Sequence, residues 1–380
     1  MKSAPVIQTE ILLADLRALI EEARQRVAQI ANSTLTRLHW QLGQRILREV
    51  LQGQRARYGE EILPTLSAKL VPDYGKGFSA RNLARMIRFA EVFPDERVVL
   101  ALAQELGWSH FVEILPLKQP LEREFYAEMC RIERWSVRTL RERIGSQLYL
   151  RTAIAKKPEA VVTAQLSVLR NEGLLTPDMV LRDPYMLDFL RLSAGYDERD
   201  LEAAILREME SFLLELGSGF CFVARQKRMS VGKDDFYLDL LFYHRHLRRL
   251  VAVELKLESF QPAHTGQMEL YLRWLDKYER MLGEDPPIGL ILCAAADAEQ
   301  VELLQLDEKS IHVAEYLTEL PPVQVLRERL HWAIAHAREQ TTVLANKGNE
   351  LPLSEGNNEG NNPSAQVAMP TNKARGGQQT

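Results

Sequence analysis

Apolar residues recur at helical spacing from the start of the chain. Leu12, Leu16, Leu19, Ile20, Ala23, Val27 and Ile30 predict a long first helix. A second helix is expected from about Thr34 to Leu51, with Gly53 as its stop signal. The turn-rich PDYGKG then separates YGEEILPTLSAKL from FSARNLARMIRFAEVF, where Ser79 is a good N-cap and Pro94 an end. Trp108 and Trp135 sit in the phrases GWSH and RWSV, whose serines are suited to cap the helices that follow. The helical pattern holds over 9–157. Residues 158–200, broken by Pro158, Gly173, Pro177, Pro184 and Gly195, read as a connector.

The pattern changes after Leu201. A helix, LEAAILREMESFLLELG, ends at Gly217. Three strand-like runs follow, FCFVARQKRMSV, DFYLDLLFYH and RLVAVELKL, joined by the short turns GKD and HRHL. A helix from Met268 to Met281 comes next, then IGLILCAA as a buried strand, a short strand over 311–314, and a helix from about Val323 to Arg338. The order α-β-β-β-α-β over 201–340 predicts a mixed α/β domain with helices on the faces of a sheet. From Thr341 to the end, Asn, Gly, Gln, Pro and Ser dominate, as in NNEGNNP. Such a tail buries too little apolar surface to offset its ordering entropy and is expected to be disordered.

Composition refines this picture without changing it. The chain has 380 residues, 46% hydrophobic and 26% charged, enough for two domains with real cores. The net charge of −4 gives no global basic surface, so any nucleic-acid contact must be local. Cys130, Cys221 and Cys293 lack zinc-type spacing and read as buried free thiols in a reducing compartment. Acids and arginines interrupt every apolar stretch near the start, so no segment reaches the ~18 apolar residues of a spanning helix. A cytoplasmic protein is expected, with no membrane partner.

Charge inside the apolar strands carries the chemistry. Asp239 interrupts FYLDLLFYH, and Glu254 and Lys256 interrupt LVAVELKL. Buried charge is costly unless it is paired or binds a metal. Strand residues two apart share a face, so Glu254 and Lys256 point the same way. Pairing through the HRHL turn would bring Asp239 near Glu254. Two carboxylates with a carbonyl or water make a hard-oxygen site suited to Mg²⁺, with Mn²⁺ as a second choice. The lysine can orient a water or stabilise a phosphoryl transition state. The plainer alternative is an internal salt bridge of Lys256 with one of the acids.

This segment resembles the PD-(D/E)XK nuclease superfamily, in which an Asp ends one strand and E-x-K lies on the next. Leu238 stands here where the motif name has Pro, a position that varies in the superfamily. The wider wording resembles the YhcG-type family: FLLELGSGFCFVARQKRM, DDFYLDLLFYHRHLRRLVAVELKLESFQPAHTGQMELYL and PPIGLILCA match its nuclease domain. ANSTLTRLHWQLGQRI, YGEEILPTLSAKL, GFSARNLARMIRF and RWSVRTL match its helical N-terminal domain, and the resemblance covers about residues 10–340. It implies a restriction-endonuclease-like fold, DNA as substrate, and a role in recombination, repair or defence.

Weaker neighbours accompany the three. Gln267 and Tyr271, four apart on one helix, match a Gln-x-x-x-Tyr element beside the active site of some superfamily members; an ordinary amphipathic face is the alternative. Glu202 projects toward the apolar stripe of Ile205, Met209, Phe212, Leu213 and Leu216 and is the candidate fourth acid; a first-turn glutamate favoured by the helix dipole is the alternative. Gln226 resembles a polar first-strand residue of the superfamily, or is simply exposed. His244 and His246 could bind metal at i, i+2 spacing, but a solvated turn is the plainer reading.

Arg81, Arg85 and Arg88 form one basic stripe, and a short helix, a Gly turn and this basic helix suggest a helix-turn-helix-like unit. A second basic region, from Arg134 to Lys157, includes Arg138 and Arg141 and holds seven basic residues against Glu142 alone. Solvated faces with local ion pairs are the alternative. The long first helix could instead support a homo-oligomer. The expected protein is thus a metal-dependent nuclease with an all-helical N-terminal domain. A non-catalytic nucleic-acid-binding protein and an interaction scaffold compete with it.

Overall fold

A 49-residue helix, α1 (Ala4–Gln52), opens the computed structural model, which describes residues 4–52, 56–192 and 195–348. Two helices were expected here. The run Ala31-Asn32-Ser33 contains no Gly or Pro, so nothing interrupts the hydrogen-bond ladder. Gly53, the expected stop, lies outside the described residues. Next come α2 (Ala56–Tyr74), a turn through Gly75 at φ 89°, and α3 (Ala80–Val92), in the helix-turn-helix order expected. Ser79 takes the N-cap position of α3 but its side chain makes no capping bond. Leu83, Met86, Phe89 and Ala90 form the buried face of α3. At Gly43, α1 crosses α3 so closely that an added Cβ would sit 1.9 Å from the Met86 carbonyl oxygen.

Short helices complete the first half: α4 (Glu96–Ala103), α5 (Trp108–Ile114), α6 (Pro120–Glu133), α7 (Val137–Gly145) and α8 (Leu148–Arg151). Ser136 caps α7, accepting from the Thr139 amide at 3.1 Å, whereas Ser109 lies inside α5 and Gly107 takes the N-cap.

Residues 158–200 are more than a connector. They hold α9 (Glu159–Glu172), α10 (Pro177–Val180) and the edge strand β1 (Tyr185–Met186). Val162, Leu166, Leu169, Tyr185 and Leu187 are fully buried there. The Pro and Gly residues mark corners of a packed segment, not a solvated linker. The helix expected over 201–217 is two, α11 (Glu198–Arg207) and α12 (Met209–Leu216), broken at Glu208.

The sheet half continues with β2 (Phe220–Val231), β3 (Asp234–His244), β4 (Arg249–Leu255), α13 (Pro262–Tyr278), β5 (Ile288–Cys293), α14 (Ala298–Leu303), β6 (Ile311–Leu317) and α15 (Val323–Gly348). The strand order is β1-β6-β5-β4-β3-β2. β2, β3 and β4 form an antiparallel meander, and β4, β5, β6 and β1 run parallel. The tail expected from Thr341 begins inside α15, and 349–380 lie outside the described residues.

Alternation along the strands sorts the core into two layers. Leu250, Ala252, Ile291 and Cys293 pack with Met268, Tyr271, Leu272 and Leu275 of α13. On the other face Val251, Val253, Leu255, Leu240 and Leu292 join Leu201, Ile205 and Phe212. That second cluster does not stop at the sheet. It runs on through Tyr185, Leu166 and Tyr126 to Phe89 and Trp40, so both halves of the chain share one core. A buried ion network crosses the same seam. Glu215 of α12 pairs with fully buried Arg151 and with Arg182 at 3.1 Å, and accepts from the Met186 amide at 2.9 Å.

Two expected exposures are reversed. His244 is buried rather than solvated: its Nδ1 accepts from the Leu247 amide at 3.1 Å, and burial, helped by His246, pushes its pKa down to about 4. His246 is exposed. Cys221 is exposed because β2 is the uncovered sheet edge, while Cys130 and Cys293 are buried as expected. No helix among the described residues is long and apolar enough to cross a membrane.

Candidate active site

The β3–β4 ladder ends at Leu240 opposite Val253, one residue before Asp239 and Glu254. Beyond that point the strands part, and a side chain replaces the missing backbone partner. Asp239 Oδ2 accepts the Leu255 amide at 2.9 Å. Its Oδ1 accepts from Gln226 Nε2 at 3.0 Å, and the same amide nitrogen donates to Glu202 Oε2 at 2.9 Å. One Gln side chain on β2 thus ties the acid of α11 to the acid of β3. Gln226 does so from a backbone φ of 45°, a left-handed conformation costly for a non-glycine residue.

Glu254 lies on the α13 face of β4 and is 5% exposed. Its Oε1 accepts from Lys256 Nζ at 3.0 Å and from Gln267 Nε2 at 3.1 Å. Gln267 also donates to the Tyr271 hydroxyl at 2.6 Å, and that hydroxyl donates to the Tyr237 carbonyl at 3.1 Å. The structure therefore brings all six expected residues into one site as two adjoining hydrogen-bonded groups: Glu202 and Asp239 joined by Gln226, and Lys256, Gln267 and Tyr271 gathered around Glu254. Gln226 is an exposed residue of β2, as its plainer reading had it, and it also bonds both Glu202 and Asp239. The internal salt bridge expected as the alternative for Lys256 is also present.

The electrostatics are those of a crowded anionic pocket. Burial, then the neighbouring Asp239, raises the Glu254 carboxyl to about 7, against the pull of Lys256. Burial also raises Asp239, although the Leu255 amide and Gln226 oppose it. Burial disfavours the Lys256 ammonium, but the Glu254 charge and hydrogen bond outweigh this and hold it protonated. Glu254 Oε2 is buried and has no hydrogen-bond partner among the described residues. Two carboxylates and an unpartnered buried oxygen fit a hard divalent cation. Among the described residues no group of three or more His, Cys, Asp or Glu side chains forms a ready-made metal cage. Mg²⁺ commonly needs only one or two protein carboxylates, its remaining shell coming from water and substrate oxygens.

The expected basic surfaces differ from one another. Arg81 is exposed, Arg85 half-buried, and neither forms an ion pair among the described residues. Arg88 pairs with Glu91 at 3.3 Å, Arg138 with Glu142 at 3.0 Å and Arg141 with Glu113 at 2.6 Å. The stretch from Arg134 to Lys157 is not one open stripe, since Arg151 is buried against Glu215 and Lys156 pairs with Asp183.

Comparison with known proteins agrees with this organisation. Residues 178–331 match the family described as YhcG PDDEXK nuclease domain, and residues 15–151 match the DUF1016 N-terminal domain. Among solved structures, a repair endonuclease from Pyrococcus abyssi covers 34% of this chain and 50% of its own, at 19% identity and a TM-score of 0.24. A complex of EndoMS with double-stranded DNA covers 34% of this chain and 48% of its own, at 16% identity and a TM-score of 0.26. The chain thus spans about half the length of these solved structures. The protein of Escherichia coli (strain K12) named "Putative nuclease YhcG" is 31% identical over 343 residues, covering 82% of this chain and 91% of the relative. By that identity over nearly the whole relative, and by the match of both its halves, this chain belongs to the YhcG family, with a helical N-terminal domain and a PDDEXK nuclease domain.

Proposed function

We propose that the protein hydrolyses phosphodiester bonds in DNA, with a divalent cation held by Asp239 and Glu254. One observation carries the reading. Glu254 presents a buried, unpartnered oxygen beside a second carboxylate, in a position where burial opposes its charge. A cation bound there would neutralise both acids and polarise a phosphoryl oxygen. Mg²⁺ suits the all-oxygen donors, with Mn²⁺ next.

The side chains divide the remaining work. Lys256 is held protonated beside Glu254, placed to stabilise charge that develops on the phosphate or to orient the attacking water. Gln267 and Tyr271 fix the Glu254 rotamer from α13. Gln226 and Glu202 hold Asp239 from the other side. Arg81 and Arg85, lacking acidic partners among the described residues, are better placed to contact phosphate than Arg88, Arg138 and Arg141, which are paired. DNA, and a role in recombination, repair or defence, are what the family resemblance implies.

The test is cleavage by the purified protein of single-stranded, duplex and branched DNA and of RNA, with Mg²⁺ or with chelator. Cation-dependent cleavage of DNA is expected, falling about 100-fold or more in Lys256→Ala. Equal background from wild type and variant would sink the enzyme reading. Binding of DNA without any cleavage would instead favour a non-catalytic nucleic-acid-binding protein.

A further inference from the structure

The second half of α1 packs on α3, α4 and α5, fastened by Gln29 to the Gln104 carbonyl at 2.8 Å and by Arg37 to Glu96 at 3.0 Å. The first half leaves the body of the molecule. Every residue from Leu12 to Asn32 is exposed. Among them are Leu12, Leu13, Leu16, Leu19, Ile20, Val27 and Ile30, with Leu19 at 62% and Val27 at 68%. A lone helix of this length is marginal in water, and a monomer seldom shows so continuous an apolar stripe.

The stripe has a regular period. Leu12, Leu16, Leu19, Ala23, Val27, Ile30 and Thr34 follow at steps of four, three, four, four, three and four. That is an eleven-residue repeat taken twice, or about 3.67 residues per turn. Leu13 and Ile20 lie on the same face, and Leu13, Leu16, Ile20, Ala23, Val27 and Ile30 follow at steps of three, four, three, four and three, a spacing that also suits a partner helix lying beside it.

We infer that residues 12–30 of α1 pair antiparallel with the same segment of a second copy of this chain. The stripe is complementary to itself about a midpoint near Glu21. Antiparallel pairing sets Leu12 against Ile30, Leu16 against Val27 and Leu19 against Ala23, so each alanine faces a leucine. Parallel pairing would set Ala23 against Ala23 and leave a gap in the middle of the seam. Charge points the same way. Residues 12–22 carry Asp15, Glu21 and Glu22 against Arg17, whereas 23–30 carry Arg24 and Arg26 with no acid. Antiparallel pairing lays the acidic half of each helix along the basic half of the other; parallel pairing lays like on like. The exposed pairs Arg24–Glu21 and Arg26–Glu22 within one helix are weak and readily re-partnered.

This inference rests on α1 and is independent of the nuclease chemistry. Sedimentation equilibrium of the full chain over a range of concentrations tests it. Twice the chain mass is expected for wild type, and a single chain mass for the double variant Leu16→Glu, Leu19→Glu. Near-ultraviolet dichroism of the tryptophans, all outside 12–30, checks that the variant's body stays folded. A wild-type monomer at every concentration, a trimer or larger assembly, or a double variant that keeps the dimer mass overturns the inference. Orientation is read by oxidising a mixture of Leu12→Cys and Ile30→Cys chains, each with Cys221→Ser. Disulfides between the two kinds of chain are expected. Links of each kind to itself overturn the antiparallel arrangement.

Discussion

Glu254 shows how one buried carboxyl joins stability to chemistry. Its pKa rises from an ordinary 4.5 to about 7, chiefly through burial. Below pH 4.5 the carboxyl is protonated in folded and unfolded chains alike, and the benefit of the raised value is fully present. As pH climbs through 7 the folded protein must ionise it, and roughly 3 kcal/mol of that benefit is lost. In chelator, wild type should therefore lose stability relative to Glu254→Gln between pH 5 and pH 8, as read by urea denaturation. Mg²⁺ should restore wild type at pH 8 and leave the variant almost unchanged. Parallel pH curves for the two proteins would show that this carboxyl is not under strain. Asp239, Glu254 and Lys256 were legible in the sequence because charge that interrupts apolar strands needs a reason. Glu202 was legible because it faces an apolar stripe. The part Gln226 plays was not, since it depends on a left-handed backbone and on the parting of two strands. Burial of Arg151 against Glu215 was hidden too, because sequence distance conceals a contact between α8 and α12.

Residue pattern identified some elements well, even at the exposed edge of the sheet. The boundaries of β2 match the run FCFVARQKRMSV residue for residue. It served less well where tertiary context decides. A second helix was expected from about Thr34, yet α1, with no Gly or Pro at that point, simply continues. The residues before the sheet looked like a linker because their turn residues are dense, although they fold into α9 and β1 and pair with β6. Helix crossings are another matter of context, and Gly43 is the clearest. Its missing side chain lets α1 lie against the Met86 carbonyl, a rigid neighbour that cannot swing aside. Gly43→Ala should destabilise the protein by about 1–3 kcal/mol, although alanine is the better helix former. Thermal melting would decide it, and an unchanged or higher midpoint would mean that the two helices can slide apart at little cost.

Across the whole molecule the shared core makes the two halves one object. Leu240 and Val253 of the sheet belong to the same cluster as Phe89 and Tyr126 of the helices, and Glu215 ties arginines on both sides of the seam. Calorimetry should record one unfolding transition. Glu215→Ala, which leaves two buried arginines without their carboxylate, should lower that transition as a unit, by roughly 3–5 kcal/mol. Two separate transitions, or a shift in only one of them, would show that the halves fold independently. A continuous core also limits how such a protein can change over evolutionary time. Joining the sheet to a different helical half, at a break between residues 151 and 178, would cut through the apolar cluster that the two halves share. New substrate preferences are then more accessible by substitution around a constant body than by exchange of parts.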